Sequence, residues 1–299
     1  MKIFSGNSNK KLALKIAKNL HTELSGVEIF VFPDLEKRIR IAEKVLGDDC
    51  IVVQSASIPP DENYMELFIM IDALKRSGAK IIKAVIPYLG YQRQDHIFRD
   101  GEAVSLEVIA SILERVGMTE LFSFDFHSPK IPEIFSVPVH HLSALPIFAE
   151  NIKKNFDLSK IILVSPDMGG IRRIKEISEM LGNIPYAIIE KNRDLANGEI
   201  NDSAVEGDVR GKIAVIVDDM ISTGKTMVEA AEILIASGAL KVFTYATHPV
   251  FAKDAGKLLQ HSRIERVIVS DTIDIPRYNL FPKLEIVSIA QIAAKAIKS

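Results

Sequence analysis

"IVDDMISTGKTMVEAAEILIASGALKVFTYATHP", residues 216–249, reads as a buried strand, a polar turn, a helix and a second strand. The apolar run into Val217 has no polar alternation, so both faces of that strand are covered, as in a parallel sheet between helices. The helix closes at Ser237-Gly238-Ala239, where glycine suits the left-handed residue that ends a helix. A second stretch, "VVQSASIPPDENYMELFIMIDALKRSGAKIIKAVIPY" at 52–88, repeats this order, and Ser77-Gly78-Ala79 answers the later triplet. Further apolar runs, "KIILVSP" and "RVIVSD", alternate with helical periodicity such as "KKLALKIAKNL". The expectation is an α/β chain of two similar domains, each a mainly parallel sheet flanked by helices. The boundary is placed at 143/144, giving domains 1–143 and 144–299, with the last helix packing back on the first. Ligands of such sheets gather at the carboxyl ends of the strands. Here nearly every apolar run ends in a polar or acidic cluster.

At 299 residues, 47% hydrophobic and 25% charged, the chain can bury two cores. A formal net charge of -2 offers no global field for a polyanion, so no nucleic-acid partner is expected. No apolar run approaches the ~18 residues of a membrane span, and "MKIFSGNSNKK" lacks a signal peptide's apolar stretch. A cytoplasmic location with no membrane partner follows as an expectation. The one cysteine, Cys50, reads as a small buried side chain rather than a nucleophile.

The opening stretch ends in Gly-Lys-Thr, yet a Walker phosphate loop requires glycine at position 219, which is Asp. A carboxylate there would face the phosphates it should cradle. The better-formed reading is a strand delivering Asp218 and Asp219, then a turn whose amides, from Ser222 through Thr223, Gly224 and Lys225 to Thr226, open a helix. Such amides and hydroxyls suit a phosphate monoester. Alternation along the strand directs the two carboxylates to opposite sides, one for sugar hydroxyls or metal. A sugar phosphate fits this pocket.

Four other clusters sit at strand ends. In "IPYLGYQRQDHIFRDGEAVSLEVIASIL" (86–113), Arg93 offers a planar fork for phosphate oxygens, and Ser105 is placed as the cap of the following helix. In "LFSFDFHSPKIPEIFSVPV" (121–139), His127 follows Asp125 at the end of a strand. In "ILVSPDMGGIRRIKEISEMLG" (162–182), Gly169 and Gly170 admit a ligand to the backbone, and Asp167 is a hard oxygen ligand for magnesium. In "AIIEKNRDLANGEIND" (187–202), Lys191 and Arg193 point the same way ahead of a polar segment built like a mobile flap. Finally, "VFPDLEKRI" (31–39) carries Phe32, Asp34 and Glu36 at period two. Read as an extended segment, it puts an aromatic plate and two acceptors on one side, suited to adenine.

The strand, paired acids and Ser-Thr-Gly turn resemble the ribose 5-phosphate motif of phosphoribosyltransferases and ribose-phosphate pyrophosphokinases. Residues 87–95 look like the pyrophosphokinase segment Pro-Tyr-aromatic-Gly-Tyr-x-Arg-Gln-Asp, which phosphoribosyltransferases lack, and Val-Ser-Pro-Asp-x-Gly-Gly and the Asp-x-His stretch also resemble that family's. The resemblance runs along essentially the whole chain. It implies two phosphoribosyltransferase-like domains and transfer of the β,γ-diphosphoryl group of ATP to the 1-hydroxyl of ribose 5-phosphate. By the same resemblance, Phe32, Asp34 and Glu36 recognise adenine across a subunit interface, and Arg93, Gln94 and Asp95 contact ATP. His127 and Asp167 serve magnesium, Lys191 and Arg193 are the catalytic pair, and Asp218 to Thr226 hold the sugar phosphate. His140 and His141 fall in a stretch that packs at a subunit contact in the family. The implied partners are ATP, ribose 5-phosphate and further copies of the chain, at least a dimer with a hexamer left open. Departures are Leu35 and Lys225 for glycine, His96 and Asn192 for basic residues, Ala103-Val104 for Pro-Ile, and Glu107 for lysine. Two rivals stay open: a phosphoribosyltransferase using a nucleobase, and a non-catalytic regulatory homologue.

Overall fold

The computed structural model describes residues 1–193 and 200–299, with the backbone alone for 191–193 and 200–203. The chain divides into two compact units, one made of Met1–Ser143, Thr272–Asp274 and Ser288–Ser299, the other of Ala144–Asp271 and Ile275–Val287. The first begins with β1 (Lys2–Ser5), α1 (Lys10–Asn19), β2 (Val27–Val31) and β3 (Lys37–Ile41). It continues through β4 (Asp49–Val53), α2 (Pro60–Arg76), β5 (Ile81–Val85), α3 (Ser105–Val116), β6 (Glu120–Phe124) and β7 (Val139–Leu142). Strands β1-β4-β5-β6-β7 form one sheet in that order, every pair parallel, and β2 and β3 form a separate antiparallel hairpin.

The second unit runs α4 (Leu145–Asn155), β8 (Ile161–Ser165), α5 (Ile171–Met180), β9 (Tyr186–Arg193), β10 (Ile200–Glu206) and β11 (Ile213–Ile221). It then adds α6 (Lys225–Ala236), β12 (Lys241–Pro249), α7 (Ala255–His261), β13 (Ile264–Ser270) and β14 (Leu284–Val287). Its described strands order as β10-β9-β8-β11-β12-β13-β14, parallel except for β10 on β9. The last helix, α8 (Ala290–Lys298), belongs to the first unit, where it packs on α1. Each unit has its own core: Val52, Leu67, Ile71, Ile82 and Leu113 in the first, Val164, Ile216, Ala230, Leu234 and Val267 in the second.

The internal repeat extends to individual hydrogen bonds. Ala79 N donates to Leu74 O at 3.1 Å, and Ala239 N to Leu234 O at 3.0 Å. Gly78 O accepts from Gly47 N at 2.8 Å, and Gly238 O from Gly211 N at 2.9 Å. Both glycines are left-handed, with φ of 84° and 96°, as a helix closing into a strand requires. In strand order, β1, β4, β5, β6 and β7 answer β8, β11, β12, β13 and β14, and the β2–β3 hairpin answers β9–β10.

Two local expectations are corrected. Ser105 is the first residue of α3 and not its cap; Val104 precedes the helix with no side-chain cap, and the Leu106 amide donates to Gln94 O at 3.2 Å. Residues 32–36 are the hairpin turn and not an extended segment. Phe32 N donates to Glu36 O at 2.8 Å, Leu35 N donates to Phe32 O at 2.9 Å, and Leu35 takes φ 72°. Proline at 33 and the reversal at Leu35 override the period-two pattern. The side-chain sequence Phe32, Asp34, Glu36 therefore curls around a tip.

Candidate active site

In the first unit, β5 runs into Pro87-Tyr88-Leu89-Gly90-Tyr91, a segment pinned from below. Tyr64 OH donates to Gly90 O at 2.8 Å, and Ala56 N donates to Tyr88 O at 2.9 Å. A Cβ at Gly90 would stand 2.6 Å from Ala56 O, so glycine is required there. The backbone then reverses at Tyr91, with φ 65°, and releases Arg93 and Gln94 to the surface. Arg93, Asp95, His96, Phe98 and His127 line a cavity of about 800 Å³. Asp95 is held by His96, Nδ1 to Oδ1 at 2.6 Å, and the His96 ring lies 4.0 Å from that of Phe98.

His127 reaches this cavity from the end of β6. Its backbone amide donates to Oε1 of buried Gln92 at 3.0 Å, tying it to the Arg93 loop. Asp125, two residues earlier, is buried and accepts from Ser143 Oγ at 2.8 Å. It is structural, whereas His127 is exposed. His141 Nε2 accepts from Phe126 N at 3.1 Å, and His140 stacks on Phe122 at 4.1 Å. Both histidines are engaged within this unit.

At the tip of the β2–β3 hairpin, Asp34 Oδ1 accepts from Glu36 N at 3.1 Å, and Phe32 packs edge-on to Phe30 at 4.9 Å. Arg38 lies 5.3 Å from the Phe30 ring centre and 5.7 Å from that of Phe32. This aromatic and cationic cluster is a surface on which a flat base can stack.

In the second unit, Asp167 follows β8 and caps the next turn, its Oδ1 accepting from Gly170 N at 3.2 Å. Ser165 Oγ donates to Asp167 O at 2.7 Å, and a Cβ on Gly170 would come within 2.4 Å of that Oγ. One carboxylate oxygen of Asp167 is thus committed to the turn. Asp218 and Asp219 stand at the end of β11, but they are not divided as strand alternation predicts. Arg173 of α5 reaches both, Nη1 to Asp218 Oδ1 at 2.8 Å and Nη2 to Asp219 Oδ1 at 3.5 Å, while Asp219 N donates to Asp218 Oδ1 at 2.9 Å. Burial, then the charge of Asp219, raise the Asp218 carboxyl well above the ordinary aspartate value, with Arg173 opposing them. Arg173 is the residue that motif reading missed. The only signal was the pair Arg172-Arg173 after Gly-Gly, and nothing in the spacing said that the second would turn to β11.

Beyond the diacid, Ser222 and Thr223 are half-buried and Gly224 is the residue before α6, with φ 81° and no side-chain cap on the helix. Uncapped amides at a helix start attract an anion. Lys225 is the first helical residue, exposed and without positive φ, so the freedom of this turn resides in Gly224 and lysine adds charge without backbone strain. Thr226 follows, half-buried. Lys191 and Arg193 lie on β9, opposite Ser203 and Ile200 of β10. Their side chains, and residues 194–199 of the expected flap, lie outside the described residues. Its remainder, 200–203, is strand β10.

Among the described residues no three His, Cys, Asp or Glu side chains form a metal cluster, and no helix is long and apolar enough to cross a membrane.

Comparison with known proteins agrees in both halves. Residues 1–117 match the model for the N-terminal domain of ribose phosphate pyrophosphokinase, and residues 191–299 the phosphoribosyl synthetase-associated domain. A ribose-phosphate pyrophosphokinase of Caldanaerobacter subterraneus is 40% identical over 298 residues, covering 99% of this chain and 93% of the relative. One from Bacillus cereus is 39% identical, with coverage of 99% and 93%. The crystal structure of a phosphoribosylpyrophosphate synthetase from Mycobacterium smegmatis superposes with a TM-score of 0.93 at 34% identity, covering 99% of this chain and 97% of that one. On full-length similarity of this order, carried by both sequence and fold, the chain belongs to the ribose-phosphate pyrophosphokinase family.

Proposed function

We propose that the chain transfers the β,γ-diphosphoryl group of ATP to the 1-hydroxyl of ribose 5-phosphate, releasing AMP, in the cytoplasm and as a homo-oligomer. The observation that carries the reading is the end of β11, where a buried diacid is followed at once by an uncapped helix start turned on Gly224. In this reading the amides from Ser222 to Thr226 hold the 5-phosphate, and Asp218 and Asp219 orient the ribose. In the first unit, Arg93, Gln94 and Asp95 take the triphosphate, and the Phe32–Glu36 turn of a neighbouring copy takes the adenine. The ribose O1 forms a bond to the β-phosphorus as the bond to the α,β-bridging oxygen breaks. AMP leaves with that oxygen, and the hydroxyl proton is released. Lys191 and Arg193 meet the charge that develops, since positioning and neutralisation dominate phosphoryl transfer. No side-chain nucleophile is required.

His127 and Asp167 are the assigned magnesium residues. Magnesium keeps several waters and takes much of its shell from substrate phosphates, so the Asp167 carboxylate as a hard oxygen donor, with the exposed His127, would suit it without an all-protein cage. When bound, it supplies charge neutralisation on the triphosphate.

The test is magnesium-dependent AMP release from ATP, measured with and without ribose 5-phosphate. Release only in the presence of the sugar phosphate is expected. No release from pure, folded chain would favour the regulatory reading, and consumption of phosphoribosyl diphosphate with a nucleobase would favour the transferase. Lys191→Ala should lower turnover by ~10²-fold or more with little change in the KM for ribose 5-phosphate, because its charge partner arises mainly in the transition state. Equal damage to both parameters would remove that role.

A further inference from the structure

The two hairpins are anchored differently. In the second unit, β9 joins the main sheet by backbone pairing with β8, from Leu163 opposite Tyr186 to Ser165 opposite Ile188. In the first unit, β2 and β3 make a sheet of their own, and it is the segment ahead of β2 that bridges to β1, at Leu24 with Ile3. Side chains must therefore hold this hairpin in place. Val27 and Ile29 on β2, with Ile39 and Ile41 on β3, pack on the core. The same inward row of β3 ends, next to the turn, in Lys37.

A lysine in a core-facing row is costly unless it meets a buried partner. That partner is Glu66 of α2, whose side chain is 1% exposed against 13% for Lys37, with Nζ to Oε2 at 2.9 Å. Lys37 Nζ also donates to Glu62 O at 3.3 Å. The same carboxylate accepts from Asn7 N at 2.7 Å, Asn7 Nδ2 at 3.0 Å and Gln54 Nε2 at 3.0 Å. It therefore joins the loop after β1, the end of β4 and the base of the hairpin turn. Asn7 and Gln54 hold Glu66 from the sheet side, and Lys37 is its hydrogen-bonded link to the hairpin. No apolar anchor lies closer to the turn on this row.

We infer that Glu66 and Lys37 are positioning residues that fix the Phe32–Glu36 turn for the nucleotide base. The inference rests on the reading that this turn takes adenine. Neither residue touches substrate in this scheme; Glu66 acts through Lys37, and Lys37 through the chain of the turn.

The chain has no tryptophan, so Val31→Trp, on exposed β2 beside the turn, gives a single reporter. In that background Glu66→Gln, Lys37→Met, Lys37→Arg and the Gln/Met double variant are compared. Lower tryptophan anisotropy is expected for Glu66→Gln and Lys37→Met. Their KM for ATP should rise at least tenfold, with the KM for ribose 5-phosphate within twofold. The double variant should be no worse than the worse single one, and Lys37→Arg should recover most of the loss. Unchanged anisotropy, or a fall in anisotropy with the KM for ATP unmoved, overturns the inference. So does an equal rise in both KM values. If Glu66→Gln does not fold, Lys37→Met decides alone, since Glu66 retains its Asn7 and Gln54 donors there. If the parent protein releases no AMP, it is the proposed activity that fails. ATP titration of the tryptophan emission then replaces KM, and an unshifted midpoint overturns the positioning role.

Discussion

The β4-α2-β5 and β11-α6-β12 segments share a backbone plan and differ at the strand end and the helix start that follows it. Asp49 stands opposite Ile81 as Ile213 stands opposite Lys241. By that register, Gln54 and Ser55 occupy the positions of Asp218 and Asp219. In the second unit the pair is acidic and followed by an uncapped helix start. In the first it is neutral and its bonds are spent internally. Gln54 joins Ser8, Asn63 and Glu66, while Ser55 Oγ donates to Thr272 O and accepts from Tyr88 N at 3.2 Å. The helix start is altered too. Pro59 and Pro60 each lack an amide donor, and Asp61 and Glu62 occupy the first turn, repelling an anion. A single fold thus yields an uncapped helix start, the proposed anion cradle, in one copy and a closed polar joint in the other. The sheet provides the place, and about ten residues decide its use.

The sharpest way to break this contrast is to write the first unit's pair into the second. Asp218→Gln with Asp219→Ser should cut AMP release by ~10²-fold or more, since orientation of the sugar is lost. Asp218→Asn alone should be as inactive yet melt no earlier, because burial already disfavours that charge and Asp219 still faces Arg173. A variant that stays active, or one that unfolds, would assign the diacid to the scaffold.

Glycine substitutions sharpen the same contrast. Gly224, Gly78 and Gly238 have φ of 81°, 84° and 96°, so alanine at each should cost about 1–2 kcal/mol of stability. Only Gly224→Ala should also raise the KM for ribose 5-phosphate, by ~10-fold. Matching kinetics in all three would deny the turn a ligand. At the hairpin tip, Leu35 with φ 72° is strained where glycine would not be. Leu35→Gly should gain about 0.5–1 kcal/mol, read as a higher melting temperature.

The smallest effect concerns Cys50, which the register sets against Ala214. Burial, then Asp48, push its thiol from 9.0 up to about 11. Between these values the unfolded chain ionises and the folded one does not, so stability falls across that window and is unaffected by this group below it. Cys50→Ala should remove that part of the slope in denaturant titrations at pH 8 to 11. At pH 8 the native thiol should resist alkylation until the protein unfolds.

Much of this was legible in the sequence because the signals are local. Apolar runs such as Ile213–Val217 mark buried parallel strands, Ser-Gly-Ala closes both helices, and Asp-Asp with Ser-Thr-Gly must fall where β11 meets α6. What was not legible depends on folding at a distance. Arg173 meets Asp218 across 45 positions and Ser55 meets Thr272 across 217, with no periodicity to announce either. The Phe32–Glu36 turn was misread for another reason. Alternating side chains look like a strand until the hairpin pairing of Val31 with Lys37 is known.

The return of α8 to α1 bears on how the molecule is made. As the ribosome delivers the chain from its amino end, the unit that emerges first lacks Thr272 for Ser55, and then the apolar row of Ala290, Ala293, Ala294 and Ile297, until the second unit has been made. The second unit can settle sooner. Truncation after residue 287 would therefore damage the unit made before the other one.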